Sequence, residues 1–238
     1  MDKYLVMWFE APLQSWGADS KFGRRDSLPF PTKSGVAGLL LCAMGASGEQ
    51  RELLERFSKL PCTVISFVRK NFNGGKTGKV LREPALRDFH MVGSGYNEKD
   101  NWEKMNIPKK ADGQPAVGGG TKMTYRYYLQ DAFFGVMLKA PAELSTTFAQ
   151  ALISPVYDLY FGRKSCVPTD FIYRGIYDTE EEAYQLLTTI IEEKQLAEDF
   201  RVLDGEFESG DVFTLNDVPV QFGENKKYRD RRVTVVQA

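Results

Sequence analysis

Residues 4–9, Tyr-Leu-Val-Met-Trp-Phe, are an unbroken apolar run with Lys3 before it and Pro12 soon after. A run without polar alternation predicts a strand covered on both faces. The pattern then lapses over residues 10–33, where Pro12, Gly17, Gly23, Pro29 and Pro31 act as breakers. This stretch reads as a long irregular loop, of the kind that often carries function. Helical spacing returns at Val36, Leu39, Leu40 and Ala43, with Ser34 read as the N-cap and Gly45 as the left-handed stop. A second helix follows, in which Ser47 and Gln50 have capping-box spacing, Leu53, Phe57 and Leu60 share a face, and Pro61 ends the run. Residues 63–69 are β-branched and aromatic and predict a second strand.

Periodicity is lost again over residues 71–124, where glycine clusters (Gly74 and Gly75, Gly93 and Gly95, Gly118 to Gly120) alternate with Lys and Asn. The segment reads as an insertion, a hairpin arm with strands over 80–92 and 123–128 and a mobile tip over 98–115. Beyond it come an apolar strand over 133–139 and a helix opened by Pro141, with Leu144, Phe148, Ala151 and Leu152 on one face and Pro155 at its end. A strand over 171–177 precedes a helix that Thr179 and Glu182 open as a capping box, and short strands over 200–203, 212–215 and 232–236 complete the chain. The order β, α, β, insertion, β, α, β predicts an α+β, ferredoxin-like (RRM-like) domain. Residues 1–70 with 125–177 form its palm, 71–124 the insertion and 178–238 a small C-terminal extension.

The net charge of −1 conceals a strong asymmetry. Residues 1–177 hold 24 basic and 17 acidic side chains, 178–211 hold 2 and 12, and 212–238 hold 5 and 3. An acidic helix can thus mask a basic surface elsewhere, and a nucleic-acid partner remains open. There is neither a basic-then-apolar leader at the start nor a long uncharged apolar stretch, which predicts a cytoplasmic protein without membrane association. Cys42, Cys62 and Cys166 lie far apart and read as core thiols; no metal site and no cofactor are expected.

Chemistry for catalysis is sparse. Lys76 and Thr77 follow Gly75, but Lys70 stands where a phosphate loop needs its first glycine. His90 is the single histidine; it reads either as a strand-end side chain that packs or as a general base for metal-independent RNA cleavage. Arg, Lys and aromatic residues interleaved with glycine suit single-stranded RNA, since cations meet phosphates, rings meet bases and glycine admits close backbone approach.

Three local patterns carry a family resemblance. The first is Leu13-Gln14-Ser15-Trp16-Gly17 followed by residues 30–40, Phe-Pro-Thr-Lys-Ser-Gly-Val-Ala-Gly-Leu-Leu. The second is residues 86–90, Leu-Arg-Asp-Phe-His, with residues 125–131, Tyr-Arg-Tyr-Tyr-Leu-Gln-Asp. The third is residues 160–166, Tyr-Phe-Gly-Arg-Lys-Ser-Cys. Together they resemble the CasD-type subunits of type I-E CRISPR complexes, within the RAMP group. The resemblance implies a non-catalytic subunit of the Cascade complex in antiviral defence, whose palm holds the 5′ handle of the crRNA. It implies that the insertion is a thumb beside the backbone subunit, with the large subunit as a neighbour and target DNA met through the assembled complex. The alternative is a metal-independent endoribonuclease that processes the precursor, with His90 as its catalytic group. Candidate RNA-binding residues are Gln14, Ser15, Trp16, Gly17, Arg24, Arg25, Thr32, Lys33, Ser34, Gly35, Arg87, His90, Tyr125, Arg126, Gly162, Arg163, Lys164 and Ser165. Thr32, Lys33 and Ser34 at a helix start suit a phosphate, Arg163 and Lys164 a second one, and Trp16 suits either bracing or base stacking.

Overall fold

The computed structural model describes the chain apart from residues 18–22, 74–75, 93–96, 98, 106, 108 and 117–121. All of the glycine clusters noted above, and parts of the expected arm tip, lie outside the described residues.

Strand β1 (Asp2–Gln14) opens the chain, followed by three two-residue strands, β2 (Trp16–Gly17), β3 (Arg24–Arg25) and β4 (Ser27–Leu28). Helices α1 (Lys33–Ala43) and α2 (Arg51–Ser58) lead to β5 (Cys62–Asn73), β6 (Lys76–Lys79), β7 (Leu86–Val92) and the short helix α3 (Asn101–Met105). Strand β8 (Lys122–Pro141), helix α4 (Ala142–Ile153), strand β9 (Tyr173–Tyr177) and helix α5 (Glu180–Glu193) come next. The chain closes with β10 (Leu196–Asp204), β11 (Asp211–Gln221) and β12 (Lys227–Gln237).

The sheet order β11-β12-β10-β5-β8-β1-β9 places β1 and β8 among its central strands, and every neighbouring pair along it is antiparallel. Alternation along β1 sends Leu5, Met7, Phe9 and Ala11 to a core shared with α1 and α4. Val6 and Trp8 point the other way, to a core formed with Phe67, Met137 and Ala183, Leu187 and Ile190 of α5. The acidic helix therefore buries its apolar stripe on the sheet, while Glu180, Glu181 and Glu182 complement the positive end of its own dipole. Both bonds of the Thr179–Glu182 capping box are present.

Several boundaries differ from those expected. Strand β1 continues past Pro12 to Gln14, because the ladder is already distorted opposite that proline, where Asp131 has φ 41°. The expected strands over 123–128 and 133–139 are one 20-residue strand, β8, since Asp131 bends the chain without ending it. Its first part pairs with β7 as a ribbon, and its second part lies between β1 and β5. Thr32, not Ser34, caps α1, its Oγ1 accepting from Gly35 N–H at 3.1 Å. Gly45 at φ +70° closes that helix as expected. No side chain caps α2; Gln50 sits at φ 51° and turns its amide onto Ser47 O at 2.6 Å. The segment read as irregular over 10–33 instead contains the end of β1 and three short strands, with β3 pairing parallel to Tyr125 and Arg126 of β8. The three final strands are longer than expected, and β10 hydrogen-bonds to β5, which carries the sheet on into the C-terminal segment.

Gly135 of β8 marks the closest approach of α5, since a Cβ there would lie 2.7 Å from Leu187 Cδ1 and 3.2 Å from Phe67 Cε2. Gly135→Ala is expected to cost about 1–3 kcal/mol through overpacking. The checks are urea unfolding, which should show a lower midpoint at unchanged slope, and a melting temperature lowered by about 2–4 °C per kcal/mol.

Candidate nucleic-acid interface

The first and third sequence patterns converge. Ser15 N–H donates to Phe161 O at 3.1 Å, joining the end of β1 to the Tyr160–Cys166 turn. The next residue of that turn, Gly162, has φ +91°, and a Cβ on it would lie 1.7 Å from Ser15 O, so only glycine fits. Trp16 is buried, packed on Phe9 and Phe161 at centroid distances of 5.5 and 5.8 Å. Its indole N–H donates to Gln14 Oε1 at 3.1 Å, and Gln14 Nε2 donates to Ala132 O at 2.7 Å. Gly35 gives this indole its space, because a Cβ there would lie 2.8 Å from the ring.

These contacts enclose one side of a cleft of about 990 Å³, lined by Ser15, Trp16, Gly17, Arg25, Thr32, Ser34, Gly35, Gly162 and Arg163 among others. The opposite wall belongs to the C-terminal hairpin β11–β12 and supplies Asn216, Asp217, Phe222, Lys226 and Tyr228. Thr214 and Leu215 also line it. Arg25 and Lys226 are exposed cations at the rim. Tyr228 is 39% exposed and meets Phe222 edge-on at 6.5 Å, giving the cleft an aromatic surface.

Other candidates are used internally. Arg163 lies 4.5 Å over the Tyr128 ring and donates to Tyr127 O at 3.3 Å and Arg25 O at 3.0 Å, which holds β3 in place. Arg24 pairs with Asp26 at 2.8 Å and lies over the Tyr127 ring. Lys33 points away from the cleft and is buried, its ammonium donating to Leu60 O at 2.7 Å and Asp204 at 2.9 Å. Its backbone N–H donates to Asp217 Oδ2 at 2.8 Å, so a carboxylate of the chain itself already occupies the start of α1. Arg231 grips Asp217 through two bonds of 2.7 and 2.8 Å and also pairs with Asp204. Lys164 and Ser165 are exposed outside the cleft lining.

Arg87, His90, Tyr125 and Arg126 lie on the β7–β8 ribbon and are not brought to the cleft. There His90 Nε2 meets Asp88 Oδ2, Phe89 packs on Tyr125 at 5.3 Å, and Arg87 lies over the Tyr125 ring. Phe89, Met91, Met123 and Tyr125 leave one ribbon face apolar and exposed. Cys62 and Cys166 are buried and Cys42 is half-buried, all as free thiols. No helix among the described residues is long and apolar enough to cross a membrane.

The model of the CRISPR-associated protein family Cas_Cas5 matches residues 4–234, almost the whole chain. The chain belongs to the Cas5 family. It is 26% identical over 190 residues to the CRISPR system Cascade subunit CasD of Escherichia coli (strain K12), covering 79% of this chain and 77% of that protein. A chain from a solved CRISPR RNA-guided surveillance complex matches with a TM-score of 0.69 and 28% identity, over 99% of this chain and 90% of the other. A crystal structure of a Cas protein, 24% identical, shares the fold with a TM-score of 0.57 over 98% and 94% of the two chains.

For a Cas5 chain, the sequence reading missed the cleft's second wall entirely. The charge count did show that cations return after the acidic block, but nothing local ties residues 212–238 to α1. The tie is the charge cluster around Lys33. Burial lowers the Lys33 ammonium to about 8, with Arg231 and Arg229 pushing the same way and Cys62 and Asp217 opposing them. The unfolded chain therefore takes up this proton at a higher pH than the folded one, and stability should rise between pH 8 and 10.5. Two outcomes are expected for Lys33→Met. It should lose about 3 kcal/mol near neutral pH by breaking a buried pair. The wild-type advantage over it in urea unfolding should then widen as pH climbs through the same window.

Proposed function

We propose that the chain is the Cas5-type subunit of a CRISPR RNA-guided surveillance complex, and that it holds the 5′ handle of the crRNA in the cleft between α1, the Tyr160–Cys166 turn and the C-terminal hairpin. The observation that carries this reading is the convergence of the first and third motifs on one cleft with exposed cations at its rim. Arg25 and Lys226 serve phosphates, the Phe222–Tyr228 pair offers a stacking surface, and Ser15, Ser34 and Asn216 offer hydrogen bonds to base edges or 2′-hydroxyls. The Cascade subunit and surveillance-complex relatives support the assignment to such an assembly.

The palm is ferredoxin-like in this reading, since β9-β1-β8-β5 follows the fourth, first, third, second order of a split βαβ domain with crossovers through α1 and α4. The β7–β8 ribbon is its thumb, whose apolar face would rest on the backbone subunit, with the large subunit as a further neighbour and target DNA met through the complex. Both faces of the palm sheet are covered, so RNA is held at the rim and not across the sheet as in RRM proteins.

The subunit caps the guide and does not cut it. A second reading, an endoribonuclease, draws on the contact between His90 and Asp88, which would orient an imidazole for proton transfer. Against it, His90 lies on the ribbon, outside the cleft lining.

Arg25→Gln combined with Lys226→Gln should weaken binding of handle RNA and reduce its logarithmic salt slope by about 0.7 for each phosphate no longer neutralised. Fluorescence anisotropy across a salt series reads both effects; wild-type affinity at wild-type slope would remove the cleft from RNA binding. His90→Ala should leave guide maturation unchanged. If the wild-type chain alone cleaves precursor RNA and the variant is about 10² to 10⁴ slower with binding intact, the nuclease reading replaces the cap.

A further inference from the structure

Outside the cleft, two adjoining grooves of about 460 and 270 Å³ share Ser58 of α2 and Arg229 of β12 as lining residues. Arg51, Lys59, Lys227, Arg229 and Arg232 bring five exposed cations to them. The acidic groups in the lining offset this charge only in part. Asp204 is held by Lys33 and Arg231, while Asp230, which accepts from Asn216 at 2.6 Å, keeps its charge and is outnumbered by the five cations. Glu55 pairs with Lys59 at 3.1 Å with both side chains 69% exposed, a contact that water and salt weaken and that an incoming anion can displace. The exposed pairs Arg51–Glu49 and Arg232–Glu206, at 2.8 and 3.4 Å, are of the same weak kind. Among the described residues, Lys227 and Arg229 have no carboxylate partner; Arg229 donates to Ser58 Oγ at 2.8 Å.

We propose that these grooves form a second binding surface for a phosphodiester backbone, separate from the cleft. Two features favour a nucleic acid over an acidic protein segment. The cations are strung along extended chain, with Lys227 and Arg229 two residues apart, about 7 Å, so they form a line that suits regularly spaced phosphates. The surface also continues from the cleft: Lys226 and Tyr228 line the cleft, while Lys227 and Arg229 line the grooves. The hairpin turn at Lys226 and the first residues of β12 thus present cations to both, and a polyanion leaving the cleft over the hairpin tip meets the second set. The strand supplying that backbone is either the guide RNA itself or a separate DNA.

The test uses the full chain carrying Lys227→Gln and Arg229→Gln, with a second variant carrying Arg51→Gln and Lys59→Gln from α2. Anisotropy titrations across a salt series employ a guide-length single-stranded RNA, a DNA duplex and, as an acidic-protein probe, polyglutamate. Each variant should keep the wild-type melting temperature and bind one nucleic acid several-fold more weakly. The salt slope should fall by about 1.4 for RNA or about 1.8 for the duplex if two phosphates are no longer neutralised. Weakening with RNA identifies the guide as the occupant, and weakening with the duplex identifies DNA. Unchanged slopes for both nucleic acids in both variants, or an effect confined to polyglutamate, overturn the proposal. The Arg25→Gln and Lys226→Gln pair run in parallel reports on the cleft separately, so failure of one surface is distinguishable from failure of the other.

Discussion

The buried cluster of Lys33, Asp204, Asp217 and Arg231 ties the last strands of the chain to the first turn of its first helix. Asp217 accepts from the Lys33 backbone N–H, Arg231 bridges both carboxylates, and Lys33 reaches Asp204 and the carbonyl of Leu60. Charges taken from water in this way are tolerated only when each finds its partners, so losing one member leaves another exposed to the full desolvation penalty. The cluster fixes the β11–β12 hairpin against α1. Without that placement the cleft would have one wall, and the cations of β12 would have no fixed relation to α2.

The other wall depends on close packing. Glycine at 35 and 162 allows an indole and a carbonyl to approach to distances that any side chain would block. Trp16 and Gln14 are consumed in holding that arrangement, and Arg163 fastens the neighbouring strand. Much of the first and third motifs therefore builds the cleft wall, while Arg25, from outside both motifs, and a few polar groups face the cleft. With α5 on one face of the sheet and α1 and α4 on the other, neither face of the palm is open to a ligand.

Elements whose signals are local are legible in the order of residues. The apolar run of β1, the Gly45 stop, the Thr179 capping box and the apolar stripe of α5 all depend on neighbours a few residues apart. The sequence also marked Ser15, Thr32, Gly35 and Gly162 as a group, through motif resemblance. Tertiary structure alone decided what each of those residues does. Whether Lys33 faces a ligand or Asp204, and whether Trp16 is free or buried, depends on partners that lie as far as 171 residues away along the chain. The second wall of the cleft was illegible for the same reason, since pairing between Asp217 and Lys33 leaves no periodic trace in either segment. The merging of two expected strands into β8 likewise turned on Asp131, whose left-handed backbone bends the ladder and lets it continue.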